Sequence, residues 1–163
     1  MTLTSILPSL RASLPDPLDP ALWPASTEAT TDDVRVRAVS MQRLAAVAGT
    51  PCVHTAEQAP PRYRPRDWVP RDVCVAVAAV TRVRRPWGVL LVELDALLPD
   101  CAVLTEARLI GRRSVAPAAA VTVTTNPTGT AGRDAVLPGD VAVGDLVCFP
   151  CARALTHREV ATL

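Results

Sequence analysis

Lysine is absent from all 163 residues, and the 17 basic residues are therefore all arginine. Without a side-chain amine of its own, the chain cannot form a lysine imine with an aldehyde cofactor. Aromatic residues are almost as scarce, at 3% of the chain, with one Phe, one Tyr and three Trp. The interior must therefore be built from Val, Ala and Leu, which suit a β-rich or small α/β core. Charge of either sign is also lacking in excess, since 17 basic residues face 16 acidic ones for a net +1. No broad field exists to attract nucleic acid or an anionic membrane. No uninterrupted apolar run approaches membrane-spanning length. The five cysteines are an odd number, several lie inside apolar runs, and no basic-then-apolar leader precedes them. These features predict reduced thiols and a cytoplasmic location.

Proline is abundant, with 16 residues, and it divides the chain. A chain of this length has room for one domain around one core. Pro8, Pro15, Pro17, Pro20 and Pro24 make residues 1 to 31 an irregular arm beyond one short helix near residues 5 to 14. Residues 32 to 163 read as a single β-barrel domain. Within it the Pro/Arg-rich run of residues 59 to 72 is an extended surface connection.

Local patterns fill in the domain. "VRVRAV" at residues 34 to 39 alternates as one strand. Ser40 then stands as a helix N-cap, with Leu44 and Val47 on one helical face and Gly49 at a left-handed C-terminal stop. "VCVAVAAVTRV", "RPWG" and "VLLVELDALL" predict a hairpin around a type I turn, with Pro86 second and Gly88 fourth. Further strands are expected in "AVLTEARLIGRRSV", "AVTVTT" and "VCFPC", with "NPTGTAG" as a loop. Thr156 and Glu159 have capping-box spacing for a last helical turn. The fold class is mainly β: one small barrel or sandwich domain with a few short helices.

"VSMQRLAAVAGTPCVHTAE" resembles the segment that leads into the (β/α)₈ barrel of the pyridoxal-phosphate-dependent diaminopimelate, ornithine and arginine decarboxylases of alanine-racemase-like fold. "VPRDVCVAVAA" is similar to the segment that leaves that barrel for a C-terminal β-domain. "VLLVELDALL" and "AVLPGDVAVGDLVCFPCARAL" are similar to later parts of the same β-domain, in the same order. The resemblance implies a decarboxylase β-domain whose catalytic barrel is missing, spliced through "QAPPRYRPRDW". Excision of an inserted domain is physically reasonable, because such a domain enters and leaves its host at neighbouring points.

The active-site motifs of the family are lost. Its Cys-Glu-Ser-x-Asp corresponds to Asn126, Pro127, Thr128, Gly129 and Thr130, and its Gly-Ala-Tyr to Arg153, Ala154 and Leu155. In its Glu-Pro-Gly-Arg, Val69, Arg71 and Asp72 replace Glu, Gly and Arg. Neither cofactor binding nor amino-acid decarboxylation is carried over, and no cofactor is expected.

Several residues remain candidates for chemistry. Glu93 and Asp95 lie on one face of the strand at residues 89 to 95, where two carboxylates can act as acid and base. A solvated ladder with Arg82 and Arg84 on the neighbouring strand is the structural alternative. "CFPC" has redox or zinc spacing, but without a second pair it reads as two strand cysteines, and no metal is expected. His54 and His157 lie in regions that approach each other in the family, where they could line a cleft, although exposed histidines are commoner. Tyr63 and Trp68 are candidate substrate contacts that pin the Pro-rich splice across an opening, and Trp87 is read as a turn aromatic covering a core edge.

Three functional classes follow. The first is a cofactor-independent biosynthetic enzyme, a cyclase, isomerase or lyase, acting on a largely apolar small molecule in a β-barrel pocket. The second is a non-catalytic partner or regulator of a full-length decarboxylase. The third, half of a split enzyme, conflicts with the lost motifs. A small-molecule ligand and a homodimer are the expected partners, with neither nucleic acid nor membrane. The former barrel face is expected to be covered by self-association or by the arm.

Overall fold

The computed structural model describes residues 13 to 125 and 132 to 161. The replacement segment at Asn126 to Thr130, most of the "NPTGTAG" loop and most of the helix expected near residues 5 to 14 lie outside the described residues.

The protein is mainly β, a curled half-barrel sheet, with two short α-helices named among the described residues. The elements in order are β1 (Thr27–Ala29), β2 (Val34–Val36), β3 (Val39–Ser40), α1 (Met41–Ala48), β4 (Cys52–Glu57), β5 (Asp72–Arg84) and β6 (Leu90–Leu94). β7 (Arg108–Ile110), β8 (Ala118–Thr125), β9 (Arg133–Pro138), β10 (Leu146–Cys151) and α2 (His157–Val160) follow. A small sheet runs β1-β2-β3. The large sheet runs β7-β10-β5-β6-β8-β9, with β4 also paired to β5.

β5 organises the large sheet because it has two different partners along one edge. Its first half pairs with β4, from Asp72 opposite Glu57 to Val77 opposite Cys52. Its second half pairs with β6, from Val80 opposite Leu94 to Arg84 opposite Leu91, with a bulge between Val80 and Arg82. β10 covers the opposite edge from Cys74 to Ala79. Six consecutive buried residues, Val73 to Ala78, reflect a strand covered on both faces.

The two faces have separate cores. One contains Leu90, Val92 and Leu94 of β6, Val121 and Val123 of β8, and Phe149 of β10. The other contains Trp23, Val34, Val36, Met41, Val75, Val77, Ile110 and Cys148. Val, Ala and Leu dominate both, as the scarcity of aromatics requires.

Several sequence-based expectations hold. Ser40 caps α1 by accepting the Arg43 N–H at 3.0 Å, and Gly49, at φ 79°, closes it with its N–H on the Ala45 carbonyl at 2.9 Å. The β5–β6 hairpin, the "CFPC" strand and the terminal helical turn are all present.

Others are corrected. Residues 34 to 39 form two strands, because Arg37 and Ala38 both take positive φ (49° and 66°) and reverse the chain between Val36 and its partner Val39. The buried residues of α1 are Met41 and Ala45, four apart on the face that meets the second core, whereas Val47 lies off that face and is 80% exposed. The arm is not irregular throughout, for β1 lies within it. The β5–β6 turn sits one residue later than expected. Trp87 (φ 48°) and Gly88 (φ 83°) are its central residues, and the Val89 N–H bonds the Pro86 carbonyl at 3.0 Å. Positive φ at both positions is the type I′ pattern, whose twist matches a hairpin where a type I turn does not. Trp87 covers no core edge. It is 99% exposed at the hairpin apex.

Candidate functional site

The arm supplies one wall of a cleft. Trp23 is only 1% exposed and packs against Val34, Met41 and Val75 in the second core. Its indole N–H donates to Glu106 Oε2 at 2.9 Å. Arg108, at the start of β7, holds the preceding chain by donating to the carbonyls of Asp16 (2.6 Å) and Pro17. Between this fixed arm, the hairpin of the small sheet and the ends of β8 and β9 lies a cleft of about 340 Å³.

Its walls are mixed: Leu14, Pro15, Val34, Leu109 and Val136 supply apolar surface, and Thr30, Thr31, Thr105 and Ser114 stand among the polar residues. Of the three acidic residues that line it, Asp16, Asp33 and Glu106, the last two are committed to the fold. Asp33 accepts the Val34 and Gln42 N–H groups at 2.8 and 3.0 Å and the Ser40 hydroxyl at 2.5 Å. Glu106 holds the Trp23 indole and the Asp19 N–H.

The arginines of the cleft differ sharply. Arg112 makes a fork on Asp145, Nε and Nη2 each donating at 2.7 Å, and reaches Asp140 at 3.1 Å through Nη1. The Asp145 carboxylate, joined by Asp140, raises the Arg112 pKa and keeps the guanidinium charged. Burial pushes Asp140 upward, but the Ser114 hydroxyl and Arg112 outweigh it and hold the carboxyl below its ordinary value. By contrast, Arg113 is exposed and has no ion-pair partner among the described residues. Arg108 Nε is buried without any hydrogen-bond partner. An orphaned buried donor of this kind costs about 1–3 kcal/mol. The cleft thus combines apolar and polar walls with one exposed guanidinium, Arg113, that has no ion-pair partner among the described residues.

None of the six candidate site residues named from sequence lines this cleft. Glu93 and Asp95 do lie on one side of their chain segment, but on the side away from Leu90, Val92 and Leu94 and so away from the barrel core. The expected ladder reduces to one contact of 3.9 Å between Arg82 and Glu93, while Arg84 stands opposite Leu91. Asp95 accepts the Thr50 hydroxyl at 2.6 Å and the Ala79 N–H at 2.8 Å. His54 is half-buried on β4, and His157 is exposed on α2, which packs against β4. Their segments therefore approach, as the resemblance implied.

Tyr63 is 84% exposed and, in place of pinning the splice, stacks only with the Arg62 guanidinium, 5.9 Å from its ring centre. Trp68 is half-buried under Arg64 at 5.1 Å and lines a separate shallow hollow with Gln58, Pro65 and Arg71. The residues that sequence reasoning missed are Trp23, Arg108 and Arg113. Trp23 had a signal, since an isolated Trp in a Pro-rich arm has a large apolar area to bury.

Among the described residues no helix is long and apolar enough to cross a membrane, and no group of three or more His, Cys, Asp or Glu is arranged to hold a metal ion. No protein-family model and no curated protein matches the chain.

Proposed function

We propose that the chain is a cofactor-independent small-molecule domain, and that its ligand is a largely apolar compound with one anionic group, bound in the arm-covered cleft. The observation that carries this reading is a cleft in which Leu14, Val34, Leu109 and Val136 share the wall with Arg113, an exposed guanidinium without an ion-pair partner among the described residues. A carboxylate accepting from Arg113 would gain charge-assisted bonds, which are roughly twice as strong as neutral ones. The volume lies at the small end of ordinary ligand sites, about 300–1,000 Å³, and suits a medium-chain or monocyclic acid.

The site proposed from sequence, the interior of the barrel, is occupied by the packed side chains of Val92, Val123 and Phe149. Ring formation or isomerisation in the arm-covered cleft would rest on positioning and on polarisation by guanidinium, since Asp33 and Glu106 are already engaged. The probe for the site is decanoate, with decanol as the uncharged control. Decanoate should bind in isothermal titration and Arg113→Ala should weaken it about tenfold, the loss of one charge-assisted bond. Equal binding of decanoate and decanol, or no effect of Arg113→Ala, would refute an anion site.

A second reading, a non-catalytic partner of a full-length pyridoxal-phosphate decarboxylase, is favoured by Trp87. An aromatic that stands 99% exposed at a hairpin apex is the kind of residue that anchors interfaces. Light scattering of the mixture with such an enzyme should then give a joint mass that Trp87→Ala abolishes. If the masses stay separate, this reading fails.

A further inference from the structure

Three cysteines from three separate stretches of sequence meet at one end of the large sheet. Cys74 on β5 stands directly opposite Cys151 on β10 in the antiparallel register. On the other side of Cys151 runs the segment around Cys101. Ala102 bridges Cys151, the Val103 N–H bonds the Pro150 carbonyl at 2.9 Å, and the Ala152 N–H bonds the Cys101 carbonyl at 2.9 Å. Cys151 thus has Cys74 as its register partner on one side and the Cys101 segment on the other, while the Cys74 thiol donates to the Arg153 carbonyl at 3.3 Å. All three are free thiols.

Their surroundings differ in a useful way. Cys74 and Cys151 are buried, at 0% and 1% exposure, and Cys101 is half-buried, the one of the three that solvent reaches. At Cys74 the Cys151 thiol, the Leu155 N–H and the Arg153 guanidinium lower the pKa against the opposing effect of burial. At Cys151 the Cys74 thiol, burial and the Cys101 thiol push it up. The "CFPC" spacing is not the source of this cluster. Cys148 and Cys151, three residues apart on a strand, face opposite sides and belong to different cores.

We propose that Cys101, Cys151 and Cys74 form a thiol relay that a hydroperoxide oxidises from the surface inward, ending in a Cys74–Cys151 disulfide. In the first step the Cys101 thiolate attacks a peroxide oxygen. The S–O bond forms, the O–O bond breaks, and hydroxide leaves, taking up the proton that the Cys101 thiol gave up to become water, so that hydrogen peroxide yields one water and a sulfenic acid. The Cys151 sulfur then attacks the Cys101 sulfur, the S–O bond breaks, and hydroxide leaves as water with the Cys151 proton. The product is a Cys101–Cys151 disulfide, and one peroxide has been reduced to two waters by two thiols. Finally the Cys74 thiolate attacks Cys151, displacing the Cys101 thiolate. The exchange moves the oxidised pair into the interior and returns a reduced thiol to the surface. Two adjacent strands facing each other at one register position place Cα atoms in the range a disulfide accepts.

The experiment uses the intact chain. After one equivalent of hydrogen peroxide, free thiols are trapped with N-ethylmaleimide and the digest is mapped by mass spectrometry. A Cys74–Cys151 cross-link should appear, with Cys101, Cys52 and Cys148 alkylated. The Cys74→Ser variant should stop at a Cys101–Cys151 link. The Cys151→Ser variant should instead accumulate sulfinic acid at Cys101, because its resolving thiol is gone. Sulfinic acid at Cys101 in the wild type without a cross-link, a cross-link between two chains, or a Cys74–Cys101 link in Cys151→Ser would each overturn the relay. The wild-type map stands whether or not a variant folds.

Discussion

The Thr50 hydroxyl donates to Asp95 Oδ2 at 2.6 Å across 45 residues of sequence, and this bond joins the two strands that share one edge of β5. Thr50 lies two residues before β4 and Asp95 immediately follows β6. At the point between them the other Asp95 oxygen accepts the Ala79 N–H at 2.8 Å, and the Asp95 N–H donates to the Ala79 carbonyl at 3.0 Å. Asp95 thus replaces the ladder partner that Ala79 lacks where β5 changes from β4 to β6. The carboxylate that reads from sequence as an acid or base is a joint in the sheet.

Asp95→Ala should therefore lower stability by about 1.5–3 kcal/mol, the range for hydrogen bonds to a charged group. Thr50→Val should cost about 0.5–1.5 kcal/mol, since it removes one donor and leaves the Ala79 bonds intact. The double variant should fall short of the sum, because the two residues share a bond. Urea unfolding of the four proteins checks this. Full additivity would show that the contact contributes nothing of its own.

Much of the frame was legible because it rests on local rules. Ser40 and Gly49 stop a helix wherever they flank an apolar stripe, and two apolar runs around Pro86 and Gly88 make a hairpin without help from the rest of the chain. The errors arose where distant residues decide. The turn at Trp87 moved by one residue because the pairing of Arg84 with Leu91 leaves two residues at the apex, and proline at the preceding position cannot take positive φ. Composition alone could not reveal that Arg108 lies against residues more than 90 positions earlier. Nor could it place Glu106 under the Trp23 indole, 83 residues away. The cleft is built from such long-range contacts, so its residues carried no motif.

The terminal helix supplies a pH dependence. The Thr156 N–H donates to Glu159 Oε2 at 2.8 Å and the Thr156 hydroxyl at 3.0 Å, while Arg153 pairs with Oε1 at 2.8 Å. The backbone bond, then Arg153 and the Thr156 hydroxyl, lower the Glu159 pKa from 4.5 to about 2. A carboxyl held below its unfolded value stabilises the folded state above that value and loses the contribution as pH falls through the folded one. Protection of the α2 amides should therefore be constant near neutrality and decline between 4.5 and about 2. In Glu159→Gln that decline should be absent and protection should be reduced already at neutral pH. Hydrogen exchange of residues 157 to 161 across this range makes the comparison. An unchanged profile in the glutamine variant would assign the acid sensitivity to another group.

Trp23 ties the arm, the second core and the cleft to one side chain. Its ring is buried with Val34, Met41 and Val75, and its N–H reaches Glu106 in the turn before β7. Removing a buried Trp side chain costs about 3–5 kcal/mol, so Trp23→Ala should release the arm and with it the wall formed by Leu14 and Pro15. Glu106→Leu should cost less, about 1–3 kcal/mol, because it leaves the ring in place with an unpartnered N–H. Decanoate affinity separates the two effects from mere loss of stability. It should fall steeply in Trp23→Ala and only modestly in Glu106→Leu, whereas Asp95→Ala, on a different edge of the sheet, should leave it unchanged while lowering stability to a similar degree as Glu106→Leu. If decanoate affinity instead tracks stability across all three variants, ligand binding depends on global folding and the arm has no specific part in the site.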